Sequence, residues 1–356
     1  MRHPRHRGVN QDILNAARAL EQGGLVAFPT ETVYGLGADA ENPRAVAAIY
    51  AAKGRPQDHP VIVHLAPGAE LGYWASQIPP EAIALAAAFW PGPLTMILKR
   101  ASNIDPAVSG GQDTIGLRCP AHPVAIALLQ QFKGGRGGLA APSANKFGNV
   151  SPTTAAHVRE EFGAGGGVDM VLEGGQSEVG IESTIVDLSR LSTLGPVLLR
   201  PGQVSAAAIG QVIGRLPQAP DAAAPRASGT LASHYAPHTP VALLGTAELA
   251  EALRRLQGGT RKAALIYFSG MPPAHAAIQL PSNPDGYAHA LYAALRDMDH
   301  AGADMILVET PPQGEAWLGV NDRLRRAAHG SGERVRALLA SESNATTTAA
   351  RPVASN

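Results

Sequence analysis

The chain has 356 residues, 45% of them hydrophobic, with 29 Lys+Arg against 29 Asp+Glu. That length predicts one or two domains with a substantial core, and the balanced charge supplies no global pull toward nucleic acid or a membrane surface. A single cysteine, Cys119, excludes an internal disulfide framework and a multi-cysteine zinc site, and no apolar run approaches the ~18 residues of a membrane span.

The first eight residues, MRHPRHRG, are basic with no apolar segment behind them, which reads as a disordered start and a cytoplasmic protein. Asp12–Gln22 predicts an amphipathic helix with Ile13, Leu14, Ala17 and Leu20 on one side. Leu25–Phe28 suits a buried strand ended by Pro29, and Thr30-Glu31-Thr32 reads as a turn exposing two hydroxyls and a carboxylate. Asn42-Pro43 starts a helix carrying Val46, Ile49 and Tyr50, stopped by Lys53-Gly54-Arg55-Pro56. Gly35 and Gly37 faintly resemble a dinucleotide fingerprint but lack its context, so they read as tight-packing residues.

Val61–Leu65 is a second strand, Pro79–Phe89 a helix and Leu94–Lys99 a strand. Thr114–Pro120 is a strand running into a turn, followed by a helix over Pro123–Gln131. Leu139–Pro142 leads to Ser143-Ala144-Asn145, and Ser151-Pro152-Thr153-Thr154 opens a helix whose start position fits both Ser151 and Thr153. Strands over Asp169–Glu173, Ile181–Asp187 and Val197–Arg200 complete an α/β domain with a twisted sheet, residues 9–215. Residues 216–240, rich in Pro, Ala and Ser, read as a linker. Strands and helices then alternate, which predicts a small Rossmann-like parallel-sheet domain over 241–338 whose last helix is Ala316–Ala328. The low-complexity end, 339–356, reads as a disordered tail.

A bound anion must have its charge offset in the site. There is no GxxxxGK[ST] loop, so the cations at element ends, Lys53, Arg55, Arg118 and Arg200, are the fitting groups; singly, each reads as a solvated surface charge. Ser143, Asn145 and Ser151 alone read as turn and cap chemistry. His64, flanked by apolar residues, fits a core histidine as well as a ligand contact. Cys119 reads as a buried inert thiol and Trp90 as a packed rim aromatic. His234 and His238 stand four apart, but Pro237 and Pro240 argue against a metal pair on a helix.

The segments PTETVYGLG, KGRPQDHPVIVH and WPGPLTMILK, with His234-Tyr235-Ala236-Pro237 in the linker, together resemble the two-domain form of the threonylcarbamoyl-AMP synthase family, the YrdC-like proteins, over about residues 10–335. The resemblance implies an enzyme that makes threonylcarbamoyl-AMP and pyrophosphate from L-threonine, bicarbonate and ATP for tRNA modification. Thr32 and His64 would contact threonine, Arg118 would pair with its carboxylate, and Ser143 and Ser183 would complete that pocket. Lys53, Arg55, His59, Asn145, Ser151, Arg200 and Tyr235 would surround ATP, with Thr114 nearby; His59 stands where the family often has asparagine. Mg²⁺ is implied by ATP; Glu31 and Asp187 are nearby carboxylates that no motif makes its ligands. No residue is expected to act as a covalent nucleophile. The implied partner is a downstream tRNA-modifying transferase complex, and the linker would act as a lid, Tyr235 reaching the nucleotide. Two rivals stand beside this reading. The carbamoyltransferase of hydrogenase maturation fits poorly with one cysteine and this linker; an RNA-binding module with a YrdC-like fold is the alternative from another class.

Overall fold

The computed structural model describes residues 5–257, 259–270 and 274–339. These fall into two compact units. The first comprises the residues up to Phe147 together with Ser151–Leu231; the second takes Gly148–Val150 and the residues from Ala232 onward. Among the described residues no helix is long and apolar enough to cross a membrane.

The first unit contains helices α1 (Arg5–Glu21), α2 (Pro43–Lys53), α3 (Leu71–Trp74), α4 (Pro80–Phe89), α5 (Pro123–Gln131), α6 (Ala155–Phe162), α7 (Leu191–Leu194) and α8 (Ala206–Ile213). Its strands are β1 (Val26–Phe28), β2 (Gly35–Asp39), β3 (Ile62–Leu65), β4 (Ala75–Ser76), β5 (Leu94–Arg100), β6 (Thr114–Arg118), β7 (Gly138–Ala140), β8 (Met170–Val171), β9 (Thr184–Asp187) and β10 (Val197–Arg200). They form one ten-stranded sheet in the order β10-β9-β5-β6-β3-β7-β2-β1-β8, with β4 alongside β5.

The pleat divides this sheet into two chemistries, because successive side chains point to opposite faces. Val63 on β3 pairs with Leu117 on β6, and Leu117 with Met96 on β5; these join the main core with residues of α2, α4 and α6. One residue along, Ile62, Gly116 and Ile97 pair on the other face, followed by the pair His64 and Arg118. Elsewhere Val26, Phe28 and Leu139 pack with residues of α1 and α5. Around β5 and β9 there is only a small apolar floor of Ile62, Ile97, Ile185, Val197 and Leu199. That is the face that bears the polar residues of interest.

The second unit has strands β11 (Val241–Leu244), β12 (Ala263–Tyr267), β13 (Ala276–Gln279) and β14 (Met305–Glu309), with helices α9 (Thr246–Leu256), α10 (Pro284–Asp299) and α11 (Leu318–Ala327). The sheet order is β11-β14-β12-β13, every pairing parallel. It is the Rossmann-like arrangement expected from the alternation, with β13 as an unanticipated strand. Residues 332–339 are helical beyond α11, so the helix read as the last one is not. Leu339, at the edge of the predicted tail, is buried in this unit's core; residues 340–356 lie outside the described residues.

Three further expectations are corrected, and one, the tight packing of Gly35 and Gly37, is met. The basic start is helical from Arg5. The Thr30–Thr32 turn is buried rather than exposed, since its polar groups find protein partners. Gly35 and Gly37 lie in a strand, where a Cβ on Gly37 would come 2.8 Å from the Phe28 ring. Helix α6 is capped by Thr154, which accepts from the His157 N–H, and neither Ser151 nor Thr153 takes that position.

The segment read as a linker has no helix or long strand, yet its first half is pinned to the first unit. Leu198 donates to the Gln218 carbonyl at 2.8 Å, Arg190 pairs with Asp221 at 2.9 Å, and Ala224 and Ala227 pack on the small apolar floor. Arg226 donates to the carbonyls of Asp58 and Gly110.

Helix α2 delivers Lys53 and Arg55 to their places. Asn42 caps it by accepting from the Arg44 and Ala45 amides, and Gly54 ends it in the left-handed region at φ 64°. A Cβ on Gly54 meets nothing within 4 Å, so its substitution probes conformation alone. Gly54→Ala is expected to lower stability by about 1–2 kcal/mol. The measurement is the urea midpoint of the full chain; an unchanged midpoint contradicts the cap assignment.

Candidate active site

Four cations cluster at strand and helix ends of the first unit, and all are buried: Lys53, Arg55, Arg118 and Arg200. Burying a charge is costly unless hydrogen bonds meet it. Arg118, the last residue of β6, donates from Nη2 to Glu31 Oε1 at 2.5 Å and from Nε to the Gly92 carbonyl at 3.3 Å. The other Glu31 oxygen accepts from the Ala121 amide at 2.9 Å. The pair is largely buried, with side chains 5% and 6% exposed.

Lys53 donates to the carbonyls of Ser143 at 2.6 Å and Asn145 at 2.5 Å. Burial, with Arg55 beside it, pulls its ammonium well below the ordinary lysine value. Arg55 donates to the Pro60 carbonyl at 2.8 Å and the Ser228 hydroxyl at 3.3 Å, and lies over the Phe147 ring. Arg200 donates from Nη1 to the Ser228 carbonyl at 2.8 Å, from Nε to the Ser183 carbonyl at 3.0 Å and from Nη2 to the Ser183 hydroxyl at 3.2 Å. Ser228 therefore joins Arg55 to Arg200, and Ser183 joins Arg200 to the β9 end of the sheet.

The remaining candidates divide. Thr32 is buried and shares a hydrogen bond with Thr30 at 2.9 Å. His64 lies opposite Arg118 in register, with Nδ1 3.3 Å from the Ile62 carbonyl and its ring edge-on to Phe28. Ser183 shares a hydrogen bond with Thr95 at 2.8 Å. Ser143 is half-buried and Asn145 buried, on the loop after β7. Ser151 donates to Glu182 at 2.5 Å. Thr114 is buried at the start of β6, on the same face as Arg118. His59 sets its ring edge-on to Phe147, while its carbonyl accepts from Tyr50 and Arg55. Tyr235 belongs to the second unit, buried at φ 61° beside His234, Tyr292 and Arg323. The fold thus gathers every candidate but Tyr235 into the first unit.

Comparison with known proteins decides the family. Residues 18–202 match the family model described as "Telomere recombination", and residues 204–329 match that of the threonylcarbamoyl-AMP synthase C-terminal domain. The threonylcarbamoyl-AMP synthase of Pyrococcus abyssi is 39% identical over 326 residues, which cover 88% of this chain and 93% of that protein. That of Bacillus subtilis is 37% identical over 332 residues, 89% and 93%. The chain belongs to the threonylcarbamoyl-AMP synthase family. Its fold matches the crystal structure of P. abyssi Sua5 complexed with L-threonine, with a TM-score of 0.82 and 38% identity, covering 90% of this chain and 94% of that one. An H234A/Y235A variant of P. abyssi Sua5 matches equally, with a TM-score of 0.82 and 37% identity.

For a threonylcarbamoyl-AMP synthase the site holds groups that inspection of the sequence missed. Thr95 lies mid-strand between apolar residues, with nothing to distinguish it from a core threonine until Ser183 meets it. Glu182 and Ser228 are polar residues whose partners lie 28 positions or more away. Glu31 was visible as a carboxylate, but not as the partner of Arg118. Cys119 is buried, and burial, with Glu31 nearby, pushes its thiol up to about 11, so it stays protonated at neutral pH.

His64 is a candidate whose protonation state the fold alters. Burial first, then the Arg118 charge, lowers its pKa to about 3. The imidazole is therefore neutral at physiological pH and serves as a hydrogen-bonding group rather than a cation. The unfolded chain protonates this histidine below its ordinary value of 6.5 while the folded chain does not until about 3. The site's contribution to stability is complete above pH 6.5 and is lost as the pH falls through that interval. In an NMR titration the His64 ring resonances are expected to stay constant from pH 8 to about pH 4.5. A midpoint near 6.5 contradicts this.

Proposed function

We propose that this chain condenses L-threonine, bicarbonate and ATP into threonylcarbamoyl-AMP and pyrophosphate. The observation that carries the reading is the Arg200–Ser183 junction. There Arg200, a cation implied for ATP, is one hydrogen bond from Ser183, a residue implied for threonine, beside Thr95 on the sheet face that also holds His64 and Arg118. The binding of L-threonine by P. abyssi Sua5 supports it.

Threonine first loses an ammonium proton, and its amine nitrogen then bonds to the bicarbonate carbon as a C–O bond breaks and water leaves, giving the carbamate. A carbamate oxygen then attacks the α-phosphorus of ATP, forming the P–O bond as the bond to pyrophosphate breaks. In this reading Arg118 receives the amino-acid carboxylate, with Thr32, His64, Ser143 and Ser183 completing the threonine pocket. Lys53, Arg55, Arg200, Asn145 and Ser151 surround the nucleotide, with His59 and Thr114 beside it. Tyr235 as a nucleotide contact rests on the family resemblance alone. Positioning and charge stabilisation suffice, and no side chain needs to become covalently bound.

Among the described residues no group of three or more His, Cys, Asp or Glu side chains is placed to hold a metal. Glu31 and Glu182 are engaged with Arg118 and Ser151, and Asp187 with Ser189 and Arg190. These residues fit a Mg²⁺ that arrives on the ATP phosphates rather than one held in a protein cage. The adenylate product is a carbamoyl donor, to be consumed by a tRNA-modifying transferase complex in the cytoplasm.

Pyrophosphate release is the direct test: it is expected to require threonine and bicarbonate together, and release without either one refutes the reaction. The site assignment has its own signature. Arg118→Ala is expected to raise the threonine KM about ten- to a hundredfold while sparing ATP, since a charged hydrogen bond is lost. Arg55→Ala is expected to do the reverse, and Arg200→Ala to raise both. Equal effects of all three contradict the division of the site.

A further inference from the structure

Glu31 lies outside every set of substrate contacts above, yet three segments that carry those contacts meet on it. One carboxylate oxygen accepts from Arg118 at 2.5 Å and the other from the Ala121 amide at 2.9 Å, which fixes the end of β6. Its own carbonyl accepts from the Val179 amide at 2.7 Å, in the stretch that leads to Ser183. Its neighbours Thr30 and Thr32 are hydrogen-bonded to each other. Glu31 is 4% exposed, so water does not compete for it.

The Arg118 guanidinium has its Nη2 on Glu31 and its Nε on the Gly92 carbonyl. Its Nη1 has no protein partner among the described residues. A guanidinium is planar, so two fixed nitrogens set the direction of the third. An Arg side chain held in this way loses little further freedom when it takes an anion.

We propose that Glu31 is the positioning residue for amino-acid recognition: it holds the Arg118 guanidinium so that Nη1 receives the substrate carboxylate. This rests on the reading of Arg118 as the threonine contact. Glu31 touches no substrate in this scheme and acts through Arg118. A general structural prop would instead affect every ligand of the unit alike.

The test is calorimetric titration of L-threonine, L-threoninamide and ATP separately into the full chain, for wild type, Glu31→Gln, Glu31→Asp, Arg118→Gln and the double variant Glu31→Gln/Arg118→Gln. Glu31→Gln is expected to weaken threonine about tenfold or more, because a charge-assisted contact loses its orientation, and to leave ATP unchanged. The loss should vanish for threoninamide, which has no carboxylate to be received. The double variant should bind threonine no worse than Arg118→Gln, as residues acting through one group are non-additive. Equal weakening of threonine and ATP, an undiminished loss with threoninamide, or additive losses would each overturn the proposal. If Arg118→Gln binds threonine as wild type does, the reading of Arg118 fails and takes this inference with it, a result distinct from the other three. Should Glu31→Gln not fold, Glu31→Asp shortens the bracket by one methylene and supports the same comparison.

Discussion

The burial of positive charge governs the first unit. Lys53, Arg55, Arg118 and Arg200 are withdrawn from water at the ends of regular elements, and a buried cation is tolerated only where fixed acceptors surround it. The loops supply them: carbonyls of Pro60, Gly92, Ser143, Asn145, Ser183 and Ser228, and the carboxylate of Glu31. The dependence runs both ways. Segments without helix or strand are held in place by the cations they solvate. Residues 218–231 show this best, since Ala224 and Ala227 pack on the small apolar floor while Arg55, Arg190, Arg200 and Arg226 tie the segment down.

The sheet makes room for these groups by what it leaves out. Helices α2, α4 and α6 contribute to the core on one face, whereas the other carries only a narrow floor of isoleucine, valine and leucine near β5 and β9. Gly116 lies in that floor, and a Cβ there would stand 3.2 Å from Ile97. A larger residue would press into the space that His64, Arg118 and Thr95 face. The polarity of the site is therefore set by strand parity, and a one-residue slip of β6 would turn Arg118 into the apolar core.

Much of this was legible beforehand. Helices α2, α4 and α5 announce themselves by a proline at the start and clear stops, and β3, β5 and β6 by short apolar runs. The second sheet follows from simple alternation. What escaped notice has physical reasons. Strand β2 is built as GLGAD, with glycines where β-formers are expected, because Phe28 occupies the space of a side chain. The Thr30–Thr32 turn looks exposed because all three residues are polar; only the long-range partner Arg118 makes burial affordable. The segment after residue 216 reads as a linker because its order comes from hydrogen bonds with distant residues, and such bonds leave no periodic trace. Family resemblance named individual residues, but it could not say that Arg118 already has a carboxylate for company.

The assignment of Gly148–Val150 to the second unit matters for anyone who wishes to take the protein apart. Asn149 bridges to Ala236, the Ala236 amide donates to the Gly148 carbonyl at 3.0 Å, and Arg296 donates to the Val150 carbonyl. The gene therefore has no single scissile point between its two halves. A cut after Leu231 yields a C-terminal fragment missing three of its own residues, and an N-terminal fragment that retains them far from home. A split expressed from two plasmids would be a complementation experiment rather than a dissection.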